Sequence, residues 1–322
     1  MKILTFTCLS CFCLTALHAV DPLPSWNNGP VKAALIFFIA DAQTEGSEGY
    51  IPPGERIAVF DNDGTLWSEQ PMYFQLFFVI DRLKELAKED PSLKTTQPYK
   101  AVLTGDKQTL QTFGHKEIGQ LLMKTHAGMT ESEFSDLVSD WIATATHPET
   151  GKKFTDMTFQ PMKELLEALR EAGFKTYIVS GGGVSFMRPW VEEVYGIPPE
   201  QVVGSRVKVE YREDGELVRK PEIDLIDDKE GKPVGIYQVI GRRPVFAAGN
   251  SDGDFQMLEY TTAGEGPRMA LLVHHTDAKR EYAYDRESHI GKLERGLDEA
   301  DERGWVVADI AKDWETVYSE NN

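Results

Sequence analysis

The 322-residue chain carries 34 Lys and Arg against 52 Asp and Glu, a formal charge of −18, and 41% of its residues are hydrophobic. A chain of this length and apolar content can bury a core of its own, which argues against disorder. The acid excess, with no basic cluster, argues against nucleic acid as a partner, because affinity for phosphate backbones is carried by Lys and Arg.

Lys2 followed by the apolar run Ile3 to Leu17, then Ala19 ahead of Val20-Asp21-Pro22, reads as an export signal of residues 1–19. The alternative is a short membrane anchor, but the run falls short of the ~20 residues a span needs. The expected location is therefore periplasmic or secreted, with no membrane association after cleavage. Cys8, Cys11 and Cys13 all lie in this segment, so the mature chain would hold no cysteine and depend on its core rather than on disulfides.

A helix is predicted over Val31 to Ala42, followed by a Gly-rich stretch. Ile57-Ala58-Val59-Phe60 is a short continuous apolar run ending at Asp61, as expected of a buried parallel strand. Tyr73, Leu76, Phe77, Ile80, Leu83 and Leu86 repeat at helical spacing, and Thr130 with Glu133 makes a capping box ahead of a helix to Ala143. From Pro161 helix and strand alternate. A helix closed by Gly173 leads to a strand over Phe174 to Val179, and a helix over Val184 to Tyr195 follows. Val202 to Val218 alternates around Asp214-Gly215, a hairpin signal. Lys232 to Ile240 reads as helix, and strands are predicted at Pro244 to Ala248, Met269 to Val273 and Trp305 to Ala308.

This alternation predicts an α/β fold with a doubly wound, Rossmann-like parallel sheet, whose ligands bind at the carboxyl ends of the strands. About 120 residues separate Asp61 from Ser180, against the ~30 that one crossover uses. The surplus is read as an inserted, mainly helical cap over residues 73–159, with the core domain formed by 20–72 and 160–322.

Four polar clusters sit where these strands end. In Phe60-Asp61-Asn62-Asp63-Gly64-Thr65-Leu66-Trp67, Asp61 and Asp63 share one side of an extended segment. Two carboxylates so close suit a hard cation such as Mg²⁺, although an isolated Asp-x-Asp-Gly is also an ordinary strand-end turn. Ser180-Gly181-Gly182-Gly183 joins strand to helix and suits one phosphate, glycines letting the backbone approach a ligand. Lys232 opens a helix and could offset anionic charge, as any surface lysine need not. Asn250-Ser251-Asp252-Gly253-Asp254 offers further oxygen ligands, or again a turn.

In this order the clusters resemble the four motifs of the haloacid dehalogenase superfamily of phosphohydrolases, over about Ile57 to Met257. The serine-glycine second motif and the early insert are most similar to its phosphoserine phosphatase-like branch, in exported bacterial form. The resemblance implies that Asp61 is the nucleophile and Asp63 the general acid and base. It implies that Thr65, Ser180 and Gly181 contact the phosphoryl group and that Lys232 stabilises its charge, with Lys229 the runner-up lysine. Mg²⁺ would bind Asp61, Asp63 and an acid of the fourth motif. There the sequence departs from the family pattern, since Asn250 stands where an Asp is usual. Either Asn250 ligates through its amide oxygen, or Asp252 moves in while Asp254 orients a metal-bound water or Lys232; Asp252 is the preferred ligand. Trp67, Glu69 and Tyr73 lie where a cap would cover the site, and Glu69 is taken as a substrate contact. His274 and His275 lack metal-ligand spacing and are read as structural.

The function implied is hydrolysis of a small phosphorylated metabolite, phosphoserine or phosphocholine among the candidates, through an aspartyl-phosphate. The alternatives are a phosphotransferase with the same intermediate and a non-catalytic phosphoryl-ligand-binding protein. The sequence leaves oligomeric state open.

Overall fold

The computed structural model describes residues 21–110 and 112–319. The export signal and its cysteines lie outside the described residues, among which no helix is long and apolar enough to cross a membrane.

Six strands form the parallel body of the sheet: β1 (Ile57–Phe60), β2 (Lys175–Gly183), β3 (Val202–Tyr211), β5 (Phe246–Gly249), β6 (Met269–Thr276) and β8 (Val306–Asp309). Their spatial order is β3-β2-β1-β5-β6-β8. The chain thus winds outward from β1 in one direction and then in the other, and β1 flanks the switch point at which doubly wound sheets bind ligands. In register, Phe60 pairs with Ile178 of β2 and with Ala248 of β5. The outer half of β3 leaves β2 and pairs antiparallel with β4 (Leu217–Leu225). A short strand, β7 (Ala283–Tyr284), pairs antiparallel with the end of β6, an element that two residues of sequence do not announce.

The unbroken apolar runs are explained by burial on both faces. Ala58, Phe60, Ile178, Phe246, Ala248, Leu271 and Val273 point into one cluster, shared with helices Pro30–Gln43 and Gln160–Glu171. Ile57, Val59, Val179, Ala247, Ala270 and Leu272 point into the other, shared with helices Gly231–Val239 and Phe255–Thr262. Each strand alternates between the two with period two.

The chain from β1 to β2 carries helices Phe74–Glu89, Tyr99–Thr104, Lys107–Leu110, His115–His126 and Glu131–Thr144. The Thr130 capping box forms as its residues predict. Val79, Leu83, Ala87, Leu93 and Leu121 make a small cluster of this insert's own. Phe74, Phe78, Phe134 and Val138, by contrast, belong to the same cluster as Phe60 of the sheet, so apolar packing runs unbroken from core to insert. The β3–β4 hairpin holds the insert from its other side. Arg219 on β4 donates to the His126 carbonyl at 2.6 Å, pairs with Glu131 at 2.6 Å and lies 4.1 Å over the Phe134 ring. The single helix predicted over Val184 to Tyr195 is two, Val184–Met187 and Val191–Tyr195, because Pro189 cannot donate to the ladder between them.

Behind the sheet, buried Arg56 donates to the carbonyls of Ile51 at 2.8 Å, Ala172 at 2.9 Å and Ala42 at 3.0 Å, gathering three chain ends beneath β1. Removing that guanidinium leaves the buried carbonyls of Ile51 and Ala172 unpaired, each costing about 1–3 kcal/mol, while that of Ala42 keeps the Ile51 N–H at 3.1 Å. Arg56→Met is expected to lower unfolding free energy by about 3 kcal/mol, read from the urea midpoint, without disturbing ligand binding at the opposite end of the sheet.

Candidate active site

Strand parity sets the first contact. Ile57 and Val59 point to the face covered by helix Gly231–Val239, and the ladder continues one residue further, with Asp61 N donating to the Ala248 carbonyl at 2.9 Å. Asp61 therefore turns toward that helix, whose Lys232 enters beneath it. Lys232 Nζ donates to Asp61 Oδ1 at 2.6 Å, to Asp254 Oδ1 at 2.5 Å and to the Val179 carbonyl at 2.9 Å. All three side chains are buried. Lys229 points to solvent, so Lys232 is the lysine of the site.

The other oxygen of Asp254 accepts from the backbone N–H of Asn250 at 2.9 Å and of Ser251 at 3.0 Å. Both carboxylate oxygens of Asp254 are thus engaged, and it holds Lys232 rather than being free to ligate a metal. Asp252 corrects the sequence expectation more sharply. Its carboxylate turns away and accepts from the backbone N–H of Glu294 at 3.1 Å, Arg295 at 3.2 Å and Gly296 at 2.9 Å, anchoring the helix that starts there. The pull of three unpaired helix N–H groups explains why this acid is outside the site. Asn250 is the fourth-motif side chain left facing Thr65, whose hydroxyl donates to Asn250 Oδ1 at 3.2 Å. That bond turns the Thr65 hydroxyl inward, where the sequence reading had it meet phosphate.

Glu69 is corrected as well. It is buried, and instead of lining a substrate cavity its Oε1 accepts from Asn250 Nδ2 at 2.6 Å and from the Tyr284 hydroxyl at 2.8 Å. Trp67 is fully buried, stacked 4.5 Å from Trp190, and its indole N–H donates to Asp63 Oδ1 at 2.9 Å. Only Tyr73 of that trio reaches the surface.

Ser180 and the glycines end β2 beside Asp61. Ser180 Oγ accepts from Gly182 N at 3.0 Å, which leaves its own O–H free to donate, and Gly181 is exposed. Gln75, from the insert, accepts from Gly183 N at 2.8 Å and reaches His126 Nε2 at 3.1 Å. Burial, then Arg219, push His126 down to about 3, so its imidazole is neutral and accepts from Gln75. His275, read as structural, is buried and donates to the Gly64 carbonyl at 2.7 Å, with Glu281 on its other nitrogen at 3.0 Å. Gln75, His126, Tyr284 and Asp227 escape sequence reading because no local pattern marks them.

Burial sets the electrostatics. It lifts the Asp63 carboxyl to about 6, with the Trp67 hydrogen bond and Lys232 opposing. Burial, and then the charge of Asp254, push Asp61 well above the ordinary carboxylate range against the pull of Lys232. Lys232 itself is held charged: burial would lower it, but Asp254 and Asp61 together outweigh that. Three acids face one ammonium, and the excess negative charge invites a cation. Asp61 Oδ2 has no donor among the described residues, and Asn250 Oδ1 is a further hard oxygen at the strand ends. Among the described residues no three His, Cys, Asp or Glu side chains form a ready metal cluster. The set fits an ion that takes few protein oxygens and keeps its waters, as Mg²⁺ does.

Comparison with known proteins agrees with this architecture. The haloacid dehalogenase-like hydrolase family matches residues 58–259, and the chain belongs to it. A conserved protein of unknown function from Anaerococcus prevotii is similar at 16% identity and TM-score 0.55, over 91% of this chain and 96% of its own. A protein of unknown function from Bordetella pertussis is similar at 16% identity and TM-score 0.50, over 80% of this chain and 99% of its own. A phosphoserine phosphohydrolase-like protein from Francisella tularensis matches at 17% identity and TM-score 0.38, over 77% of this chain and 98% of its own. No curated protein sequence matches the chain.

Asp227 sits behind the site, fully buried, and neither of its carboxylate oxygens has a hydrogen-bond partner. Burial raises it from 3.8 to about 7. Between those values the folded chain holds a proton that the unfolded chain has released, so stability falls as pH rises through the window. The cost across it is up to roughly 4 kcal/mol. Asp227→Asn is expected to flatten this slope and to raise the melting temperature above pH 7, measured by calorimetry from pH 4 to 8.

Proposed function

We propose that the protein is a Mg²⁺-dependent phosphatase that hydrolyses a small phosphate monoester through a phosphoryl group carried on Asp61. The observation that bears most of this reading is the clamp of Lys232 on Asp61 at 2.6 Å, beside Asp63 and the Ser180-Gly181 turn, at the ends of β1 and β2. A nucleophilic carboxylate and a proton carrier from one segment meet phosphate donors from another there.

In the first step an Asp61 oxygen attacks phosphorus and the ester P–O bond breaks. Asp63, lifted to about 6, has a proton to give the leaving alkoxide near neutral pH. In the second, the Asp63 carboxylate takes a proton from water, the water oxygen bonds to phosphorus, and the Asp61–phosphorus bond breaks to release inorganic phosphate. Lys232 holds Asp61 in place and offsets the charge that gathers on the phosphoryl oxygens. Ser180 O–H and the backbone N–H groups of the glycine turn bind those oxygens. Mg²⁺, held by Asp61, the Asp63 carbonyl and Asn250, would supply Lewis-acid stabilisation of the phosphoryl group and favour the ionised nucleophile. The insert brings Gln75 against the turn and Tyr73 to the rim, which favours a small substrate. We place the enzyme outside the cytoplasm, on the export signal of residues 1–19.

Phosphate release from a panel of monoesters with Mg²⁺ tests this reading. Asp61→Asn is expected to abolish turnover and the acid-stable, base-labile phosphoenzyme. Asp63→Asn is expected to slow turnover by about 10²–10⁴-fold while phosphoenzyme accumulates with a p-nitrophenyl ester, whose leaving group needs no proton. Phosphate release surviving in Asp61→Asn would remove Asp61 as nucleophile, and transfer to an added alcohol in preference to water would make the protein a phosphotransferase.

A further inference from the structure

We propose that Glu69 acts through Asn250 as the displaced acidic group of the metal site: Asn250 presents a neutral amide oxygen to the cation, and the Glu69 carboxylate behind it supplies the negative charge that an aspartate at position 250 would carry. This rests on the Mg²⁺ requirement proposed above, and makes Glu69 a positioning residue.

The orientation of the Asn250 amide is fixed from both ends. The amide nitrogen faces Glu69 and donates to its Oε1 at 2.6 Å. The Thr65 hydroxyl donates to the opposite end, Oδ1, at 3.2 Å. The amide oxygen is thereby held on the Thr65 side, away from Glu69, and the anion on its N–H increases the negative charge on that oxygen. The Glu69 carboxylate is itself built in. The Tyr284 hydroxyl donates to it at 2.8 Å from β7, a strand two residues long whose pairing to β6 brings that tyrosine over the site. Gly64 and Gly291 wall it on two sides, both in the left-handed region with φ of 76° and 64°. A Cβ at either glycine would collide with Glu69 Oε1. Three separate chain segments thus leave room for one carboxylate, 1% exposed, whose charge has no basic side chain bonded to it among the described residues. Burying a charge without a basic partner is costly, and a nearby divalent cation is the counter-charge that makes its retention intelligible.

Mg²⁺ titration by calorimetry on the full chain without substrate tests the idea, together with the metal-free melting temperature. Glu69→Gln is expected to weaken Mg²⁺ binding about 10- to 100-fold, the usual effect of losing a group behind a ligand. Asn250→Asp alone sets two carboxylates against each other with no hydrogen between them, and is expected to lower the metal-free melting temperature. The double variant Glu69→Gln/Asn250→Asp returns the acid to position 250 and restores a donor, and is expected to recover both Mg²⁺ affinity, to within about threefold, and melting temperature. Unchanged Mg²⁺ affinity in Glu69→Gln, or no recovery in the double variant, would overturn the proposal. Should Glu69→Gln fail to fold, the double variant against Asn250→Asp still decides it, recovery supporting the proposal and its lack overturning it. Wild-type protein that binds no Mg²⁺ overturns the metal reading and this inference together. Reciprocal recovery with no phosphate release from any ester leaves this inference standing and overturns the phosphatase reading alone.

Discussion

One buried ammonium organises the catalytic end of the sheet. Lys232 Nζ is bonded to Val179 of β2, to Asp61 at the end of β1 and to Asp254 beyond β5, so a single charge ties together three adjacent strands. A buried ion pair of this kind is a poor source of stability, since desolvation of the charges offsets much of their attraction. Its place in the fold is better explained by what it does to Asp61. On the mechanism we propose, Asp61 attacks and must stay ionised where burial pushes it toward protonation, and the only basic side chain bonded to it among the described residues is Lys232.

Around that clamp the protein tolerates uncompensated acids. Asp63, Glu69 and Asp227 are all pushed up by burial first, each from a different direction around the strand ends. Such groups weaken the folded state, and their concentration at one edge of the sheet fits a site that expects positive charge from outside the chain. The large apolar clusters on the two faces of the sheet offset this cost. Some of the exposed acids stand in surface pairs, as Glu222 does with Lys208, and such pairs contribute little to stability.

Much of the core could be read directly. The apolar runs of β1, β2, β5 and β6 announce strands because each is buried on both faces, and Asp61, Ser180 and Asn250 follow them because polar residues gather where strands end. The fourth motif could not be resolved in the same way. Asp252 and Asp254 are two residues apart in one turn and chemically identical. Which of them enters the site depends on helix Arg295–Glu299, whose free N–H groups draw Asp252 outward, and on Lys232, which draws Asp254 inward. Glu69 was misassigned for a related reason: its nearness in sequence to Asp61 and Asp63 suggests a place on the substrate's side, whereas Tyr284 and Asn250 turn it behind the site. The joining of insert and sheet by one aromatic cluster was likewise hidden, since Phe74 and Phe78 show the period of a helix and nothing of what that helix packs against.

Local interactions determined what the sequence alone makes plain. Period, capping residues and chain breaks fix helices and strands over a few residues, and the order of polar strand ends places the protein among haloacid dehalogenase-like hydrolases. Side-chain direction was decided only by tertiary structure, because Asp252, Glu69, Asn250 and His126 each take their orientation from a partner more than forty residues away. Such contacts depend on how the sheet, the hairpin and the insert close on one another, and no neighbouring residue carries that information.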